Sequence, residues 1–215
     1  MPEDKKIILH LCADIGSDSH YFDLDPDFEV IKIGAEIGVE NYTVSQPIYG
    51  IIANPPCTDF STACGFDKKR DLTNAMQLVS HCQRIIEEAK AFCALKFAII
   101  ENPANGRLKD ILGKPDFVYQ PYEFGDCWTK KTAIWGMFNK VDKTHTWQTC
   151  PKLEGLYTRP GRTKPALAFM HKSALNTLIA QRPDMAWLKD KIHTDADFRS
   201  ICSPGFARQF YIANK

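Results

Sequence analysis

No Cys-x-x-Cys pair occurs in the chain, although it holds 8 cysteines, at positions 12, 57, 64, 82, 93, 127, 150 and 202. Their irregular spacing argues against a zinc ribbon, a thioredoxin-type redox pair or a disulfide framework. No run of about 18 consecutive apolar residues exists, so no transmembrane helix is expected. Met1 to Lys6 is charged and lacks the apolar core and cleavage pattern of a signal peptide, so a cytoplasmic chain with reduced thiols is expected. A reduced cysteine is available as a nucleophile. The formal net charge is only +1, so any attraction to a polyanion must come from local charge. There is no internal repeat and no low-complexity tract. With 44% hydrophobic residues in 215, the chain can bury the core of one α/β domain with a small appendage.

Short apolar runs punctuated by polar turns set the organisation. Ile7–Cys12, Phe28–Ile33, Tyr49–Ala53 and Phe97–Ile100 read as buried strands, and Lys131–Phe138 as one more. Residues 72–95 carry Leu72, Met76, Val79, Ile86, Ala89, Phe92 and Leu95 at helical spacing. Pro204–Asn214 reads as a final helix, packed through Phe206, Phe210 and either Ile212 or Ala213. This rhythm predicts an open, mostly parallel sheet with flanking helices, a Rossmann-like α/β fold. The expected organisation is a main domain over 1–138, a small irregular insert over 139–172 and packing helices over 173–215. The unusual local sequences at 13–19, 34–41, 54–61 and 101–107 each follow a strand, so they are expected to converge on the carboxyl edge of the sheet.

Two of these loops carry reactive groups. In Asn54-Pro55-Pro56-Cys57-Thr58-Asp59-Phe60-Ser61, the paired prolines stiffen a loop that presents a thiol. A buried turn cysteine is the simpler use of such a loop. Glu101-Asn102-Pro103 ends the strand at 97–100 with a carboxyl that a cleft can keep protonated for proton donation. A solvated strand-end acid is the simpler use there.

Pro55-Pro56-Cys57 with Phe60-Ser61, followed by Glu101-Asn102, resembles the paired motifs of the cytosine-C5 DNA methyltransferases. The chain is more closely similar to a small phage and bacterial branch of that family. The similarity runs in order through Leu11-Cys12 with Gly16 and Ser19, then Glu101-Asn102-Pro103 with Gly106-Arg107-Leu108. It continues through Phe124-Gly125-Asp126 with Lys130, Lys131, Thr132 and Trp135-Gly136, and ends in Pro204–Asn214. The resemblance implies transfer of a methyl group from S-adenosylmethionine to C5 of cytosine in DNA. It implies Cys57 as the nucleophile at C6, Glu101 as the group at N3, and Lys131 as a third catalytic residue. It places Cys12, Asp14, Gly16, Ser19, Glu36, Asn54, Pro55 and Phe206 around the cofactor. It places Pro56, Ser61, Asn102, Lys130, Thr132, Arg159 and Arg162 on the substrate.

The first turn, Ala13–Ser19, departs from the family in holding a single glycine, and Gly34 stands where an acid is expected, leaving Glu36 or Glu40 as substitutes. Residues 128–172 hold nine Lys or Arg against Asp142 and Glu154, interleaved with Trp128, Trp135, Trp147 and Tyr157. That mixture suits phosphate contact and base stacking, and equally a solvated surface over a small core. Cys127, His145, Cys150 and His171 fall in one region, but their spacing matches no metal motif and no metal is expected. Two other readings remain open. One is an amino methyltransferase, because Asn54-Pro55-Pro56 is similar to the start of that group's motif. The other is a catalytically degenerate fold that binds nucleic acid or a protein.

Overall fold

A computed structural model describes residues 5–13, 15–61 and 70–215 of the chain. Asp14 and Cys64 therefore lie outside the described residues. The expected strands are present as β1 (Lys6–Leu11), β2 (Phe28–Ile33), β3 (Gly50–Ala53), β4 (Phe97–Pro103) and β6 (Thr132–Met137). An additional short strand, β5 (Phe117–Tyr119), completes a six-stranded sheet in the order β2-β1-β3-β4-β6-β5. The first four are parallel, whereas β6 runs antiparallel between β4 and β5. The chain is thus a mixed α/β fold with a mostly parallel sheet, compatible with a Rossmann-like arrangement.

The parallel strands are apolar on both sides because both sheet faces are covered. Side chains alternate across the sheet. Leu9, Leu11, Ile51, Ala53, Ala98 and Ile100 join one core cluster. Ile8, Ile52, Phe97 and Ile99 join another, with Phe206 and Phe210. The helices are α1 (His20–Asp23), α2 (Leu72–Phe92), α3 (Lys109–Leu112), α4 (Ala174–Gln181), α5 (Asp195–Ser200) and α6 (Pro204–Asn214).

Helix α2 covers the first face with Ala75, Val79, Cys82, Ile85, Ile86 and Ala89. The Asp71 side chain accepts the Asn74 N–H at 3.0 Å and caps its start. The helix stops at Phe92, which is exposed, so the expected apolar face is one turn shorter than the spacing suggested. Helix α6 covers the second face. Phe206, Ala207 and Phe210 are buried, Ala213 packs against the cluster and Ile212 is exposed, which settles the choice between the last two. Gly205 permits this docking, since a Cβ there would meet the Phe124 carbonyl oxygen at 2.0 Å.

A third cluster gathers Trp128, Leu167, Met170, Leu175, Leu178, Met185, Leu188, Phe198 and Ile201. Residues 139–165, where periodicity is weak, carry turns and no helix or strand. This basic lobe is joined to the sheet by buried polar contacts. Asp126 accepts from Arg182 at 2.8 Å and from the Gly205 N–H at 2.9 Å, and also from Ser203. His20 of α1 stacks on Trp187 with ring centroids 3.8 Å apart.

Candidate active site

Strand order reverses at β1, whose neighbours are β2 on one side and β3 on the other. In open α/β sheets the crevice beyond the carboxyl ends at such a point receives the ligand. The loops after β1, β3 and β4 all start at this edge. Cys12, the residue after β1, adopts a left-handed φ of 53°, and Gly16 follows at 77°. The turn is pressed against the end of β2, because the Ala13 N–H donates to the Ile33 carbonyl at 3.2 Å.

The loop after β3 is fastened on one side of Cys57 to β4 and on the other to the segment that follows β4. Before it, the buried Asn102 side chain donates to the Pro55 carbonyl at 2.8 Å. After it, the Arg107 N–H donates to the Phe60 carbonyl at 2.9 Å, while the Phe60 ring is fully buried. Between these ties the Cys57 carbonyl accepts from Phe60 at 3.1 Å and from Ser61 at 2.7 Å, closing a tight turn. Gly106 makes the second tie possible, since a Cβ there would lie 3.1 Å from the Phe60 oxygen and 3.0 Å from that of Pro103. Pro56, Cys57 and Thr58 are left exposed at the crest. A thiol on an exposed, cross-linked turn is held in place without being covered.

Glu101 stands beside this loop. Ala53 pairs with Ile100, so Asn54, just past β3, lies level with Glu101, which is still inside β4 and pairs with Ile134 of β6. The Asn54 Nδ2 donates to Glu101 Oε2 at 3.2 Å. The other end of that amide, Oδ1, lies 2.8 Å from His10 Nε2, and His10 Nδ1 lies 2.8 Å from Ser19 Oγ. Burial pushes the Glu101 carboxyl up to about 6. The Lys130 ammonium pulls the other way, as does the Asn54 bond, and Asp18 adds to the rise. An acid placed there can be protonated near neutral pH. Tyr119 and Cys202 adjoin it, with Oη and Sγ 3.7 Å apart, and burial raises both well above their usual ranges.

The other sequence-derived candidates divide by exposure. Ser19 is fully buried, its hydroxyl turned to His10 and, at 3.3 Å, to the Gly16 carbonyl. Phe206 is 2% exposed and stacks on Tyr119 with centroids 4.0 Å apart. Both side chains are buried. Glu36 is exposed just past β2. Pro55 is buried, and Ser61 is half-buried with its carbonyl accepting from Arg70 at 3.1 Å. Thr132 is buried in β6 and donates to the Lys130 carbonyl at 2.9 Å. The Lys130 ammonium donates to the Ser200 and Ile201 carbonyls at 2.9 and 3.0 Å, tying the segment before α6 to the Glu101 side of the crevice. Lys131 is exposed, and its carbonyl accepts from Ala104 at 2.9 Å.

Arg159 and Arg162 are exposed. The Arg159 guanidinium lies 4.4 Å over the Phe169 ring, in an open pocket of about 560 Å³ shared with Tyr157 and His171. Lys152 and Lys164 cover Trp147 and Tyr122. Such basic and aromatic pairs offer cationic groups and ring faces together. Among the described residues, no three His, Cys, Asp or Glu side chains are grouped to hold a metal. No helix among them is long and apolar enough to cross a membrane.

His10 escaped the sequence reading. A histidine between Leu9 and Leu11 in an otherwise apolar strand was the available signal, because a buried imidazole requires partners. No protein-family model matches the chain, and no curated protein matches it.

Proposed function

We propose that the chain is a DNA cytosine-C5 methyltransferase dependent on S-adenosylmethionine. One observation carries the reading: an exposed thiol, Cys57, sits on a loop tied on one side to the strand bearing Glu101 and on the other to the segment that follows that strand, and burial raises the Glu101 carboxyl to about 6. The Cys57 thiolate adds to C6 of cytosine, and the ring electrons move toward N3. Glu101 supplies the proton at N3, so the ring becomes an enamine with a nucleophilic C5. A general acid works best with a pKa near the working pH, and Glu101 is placed there by its surroundings. S-adenosylmethionine, when bound, supplies the electrophilic methyl group to C5. Loss of the C5 proton to a base and cleavage of the C6–S bond regenerate the Cys57 thiolate, and N3 returns its proton to Glu101.

The reversal of strand order is where a cofactor would be expected to lie. Cys12 and Gly16 shape the first turn there, and the exposed Glu36 or Glu40 is free to meet ribose hydroxyls at the end of β2. The basic lobe suits a DNA backbone, and a cytosine must leave the stack to reach Cys57. An amino methyltransferase is disfavoured because an exposed thiol, not an aromatic ring, follows the prolines. The inward Ser19 hydroxyl and the single-glycine turn favour a second reading, a nucleic-acid binder without catalysis.

Two measurements test the proposal. DNA from cells expressing the chain is digested to nucleosides and analysed by mass spectrometry. The proposal expects 5-methylcytosine with the native chain and none with Cys57→Ser. Calorimetry with S-adenosylmethionine separates the binder, which takes up no cofactor at millimolar concentration.

A further inference from the structure

Two cysteine side chains meet where the first turn packs on α2. The Cys12 and Cys82 sulfurs lie 3.8 Å apart. Cys12 is half-buried and follows β1, whereas Cys82 is fully buried on α2. A departure from strand geometry brings them together. Side chains alternate along β1, with Leu9 and Leu11 in the cluster under α2 and Ile8 in the cluster under α6. Continued alternation would send Cys12 to the side of Ile8. Cys12 instead takes a left-handed φ of 53°, the one positive value outside glycine among the described residues, and packs in the cluster under α2. That conformation is uncommon for a residue with a Cβ, so the surrounding turn must hold it in place.

We propose that Cys12 and Cys82 form a redox modification site: a hydroperoxide closes the two thiols into a reversible disulfide that fastens the first turn to α2. The Cys12 thiolate attacks one peroxide oxygen and the O–O bond breaks. Cys12 becomes a sulfenic acid, and with hydrogen peroxide the other oxygen leaves as water, carrying the proton that Cys12 gave up. The Cys82 sulfur then attacks the Cys12 sulfur. The S–O bond breaks, and the hydroxyl leaves as water with the Cys82 proton. The two thiols are oxidised by two electrons, and one hydrogen peroxide is reduced to two waters.

Burial divides the two roles. Cys12 is the half-buried member, so it is the one that an oxidant meets. The Cys12 sulfur and burial hold the Cys82 thiol well above its ordinary range, so Cys82 keeps its proton until a sulfenic acid forms beside it. A disulfide bond is about 2.05 Å long, so closure brings the sulfurs about 1.8 Å nearer and draws the turn against the helix. Cys127 and Cys150 also neighbour each other, but they are 2% and 3% exposed, so neither offers its sulfur to an oxidant. Cys93 donates to the Ile48 carbonyl at 3.1 Å, and Cys202 lies against Tyr119. Any effect of closure on S-adenosylmethionine rests on the methyltransferase reading, whereas the disulfide does not.

The test uses the full chain, first reduced and then treated with a graded excess of hydrogen peroxide. Remaining thiols are alkylated, and tryptic peptides are mapped without reduction. Residues 7–32 and 71–84 fall in separate tryptic peptides, each with one cysteine. The two peptides are expected as one linked species, which dithiothreitol releases. The link should be roughly tenfold more abundant than in chain treated in urea, where the proximity that favours this pair is lost. Cys82→Ala is expected to leave Cys12 as a sulfenic acid that a dimedone probe captures. Should that variant fail to fold, the map of the native chain decides alone. The proposal is overturned if both thiols stay alkylatable at the highest peroxide, or if Cys12 is oxidised to a sulfinic acid or joins another cysteine instead. A link equally abundant in urea overturns it as well. Failure of the reduced chain to bind S-adenosylmethionine removes the methyltransferase reading alone, and a missing link removes this proposal alone.

Discussion

The loop after β3 and the turn after β1 meet at the same edge of the sheet but are held in different ways. Around Cys57, the ties come from the neighbouring strand and the segment after it: Asn102 grips the Pro55 carbonyl and the Arg107 N–H grips that of Phe60. The crest stays exposed. Around Ser17 and Ser19, the side chains themselves turn inward, to His10 and to the Cys202 N–H at 2.9 Å. The first arrangement leaves a reactive group outside while fixing its base. The second uses its polar groups to support the interior. A loop that performs chemistry is best anchored through its backbone and its neighbours, because its own functional side chain must remain available.

That contrast is broken most severely at the crest. Cys57→Ser is expected to reduce methyl transfer by roughly 10⁴-fold or more, the scale on which loss of a covalent nucleophile acts. The melting temperature should stay within a degree or two, because the side chain is exposed. Transfer of tritiated methyl groups and a thermal scan read both effects. Glu101→Gln is expected to lower the rate by about 10²–10⁴-fold, the usual contribution of a positioned acid.

Away from the edge, Asp126 provides a control for burial. It is fully buried and paired with Arg182. Arg182→Met leaves that carboxylate without its cation and is expected to cost about 3–5 kcal/mol, read by denaturant unfolding.

Glu101 also leaves a signature in stability. Its folded value of about 6 lies above its ordinary 4.5, so the folded state holds the proton more tightly. Its contribution is fully present below pH 4.5 and is lost as pH rises through about 6. The loss is about 2 kcal/mol. The difference between the native chain and Glu101→Gln, measured by urea unfolding from pH 4 to 7, should show that fall.

The smallest effects sharpen the comparison directly. Gly106→Ala places a methyl group 3.1 Å from the Phe60 oxygen, and Gly34→Ala places one 3.1 Å from the Ala13 oxygen. Each is expected to cost about 1 kcal/mol. Gly106→Ala should slow the reaction of Cys57, whereas Gly34→Ala should weaken cofactor binding, as read by stopped-flow and calorimetry respectively.

Much of the fold was legible because buried parallel strands are written as apolar runs. Ile7–Cys12 and Phe28–Ile33 could be read almost to the residue, whereas the strand read as Phe97–Ile100 runs on through Glu101 to Pro103, because its last residues pair with β6. Strand β5 could not, because Phe117–Tyr119 is too short to show a period. The direction of β6 was hidden as well, since alternation says nothing about which way a strand runs. At the site, Cys57 and Glu101 could be picked out by their prolines and strand ends. His10 could not be assigned a role, because its partners are 9 and 44 residues away. The burial of Ser19, Thr132 and Phe206 is a tertiary property that local sequence does not encode.

The most direct measurement is covalent trapping. A DNA duplex containing 5-fluorocytosine is incubated with the chain and S-adenosylmethionine, then resolved under denaturing conditions and mapped by peptide mass spectrometry. Fluorine at C5 cannot leave as a proton does, so the adduct persists. The account predicts a cross-linked peptide attached through Cys57, absent in Cys57→Ser. A cross-link through another cysteine, or none with duplex, single-stranded DNA or RNA, contradicts it.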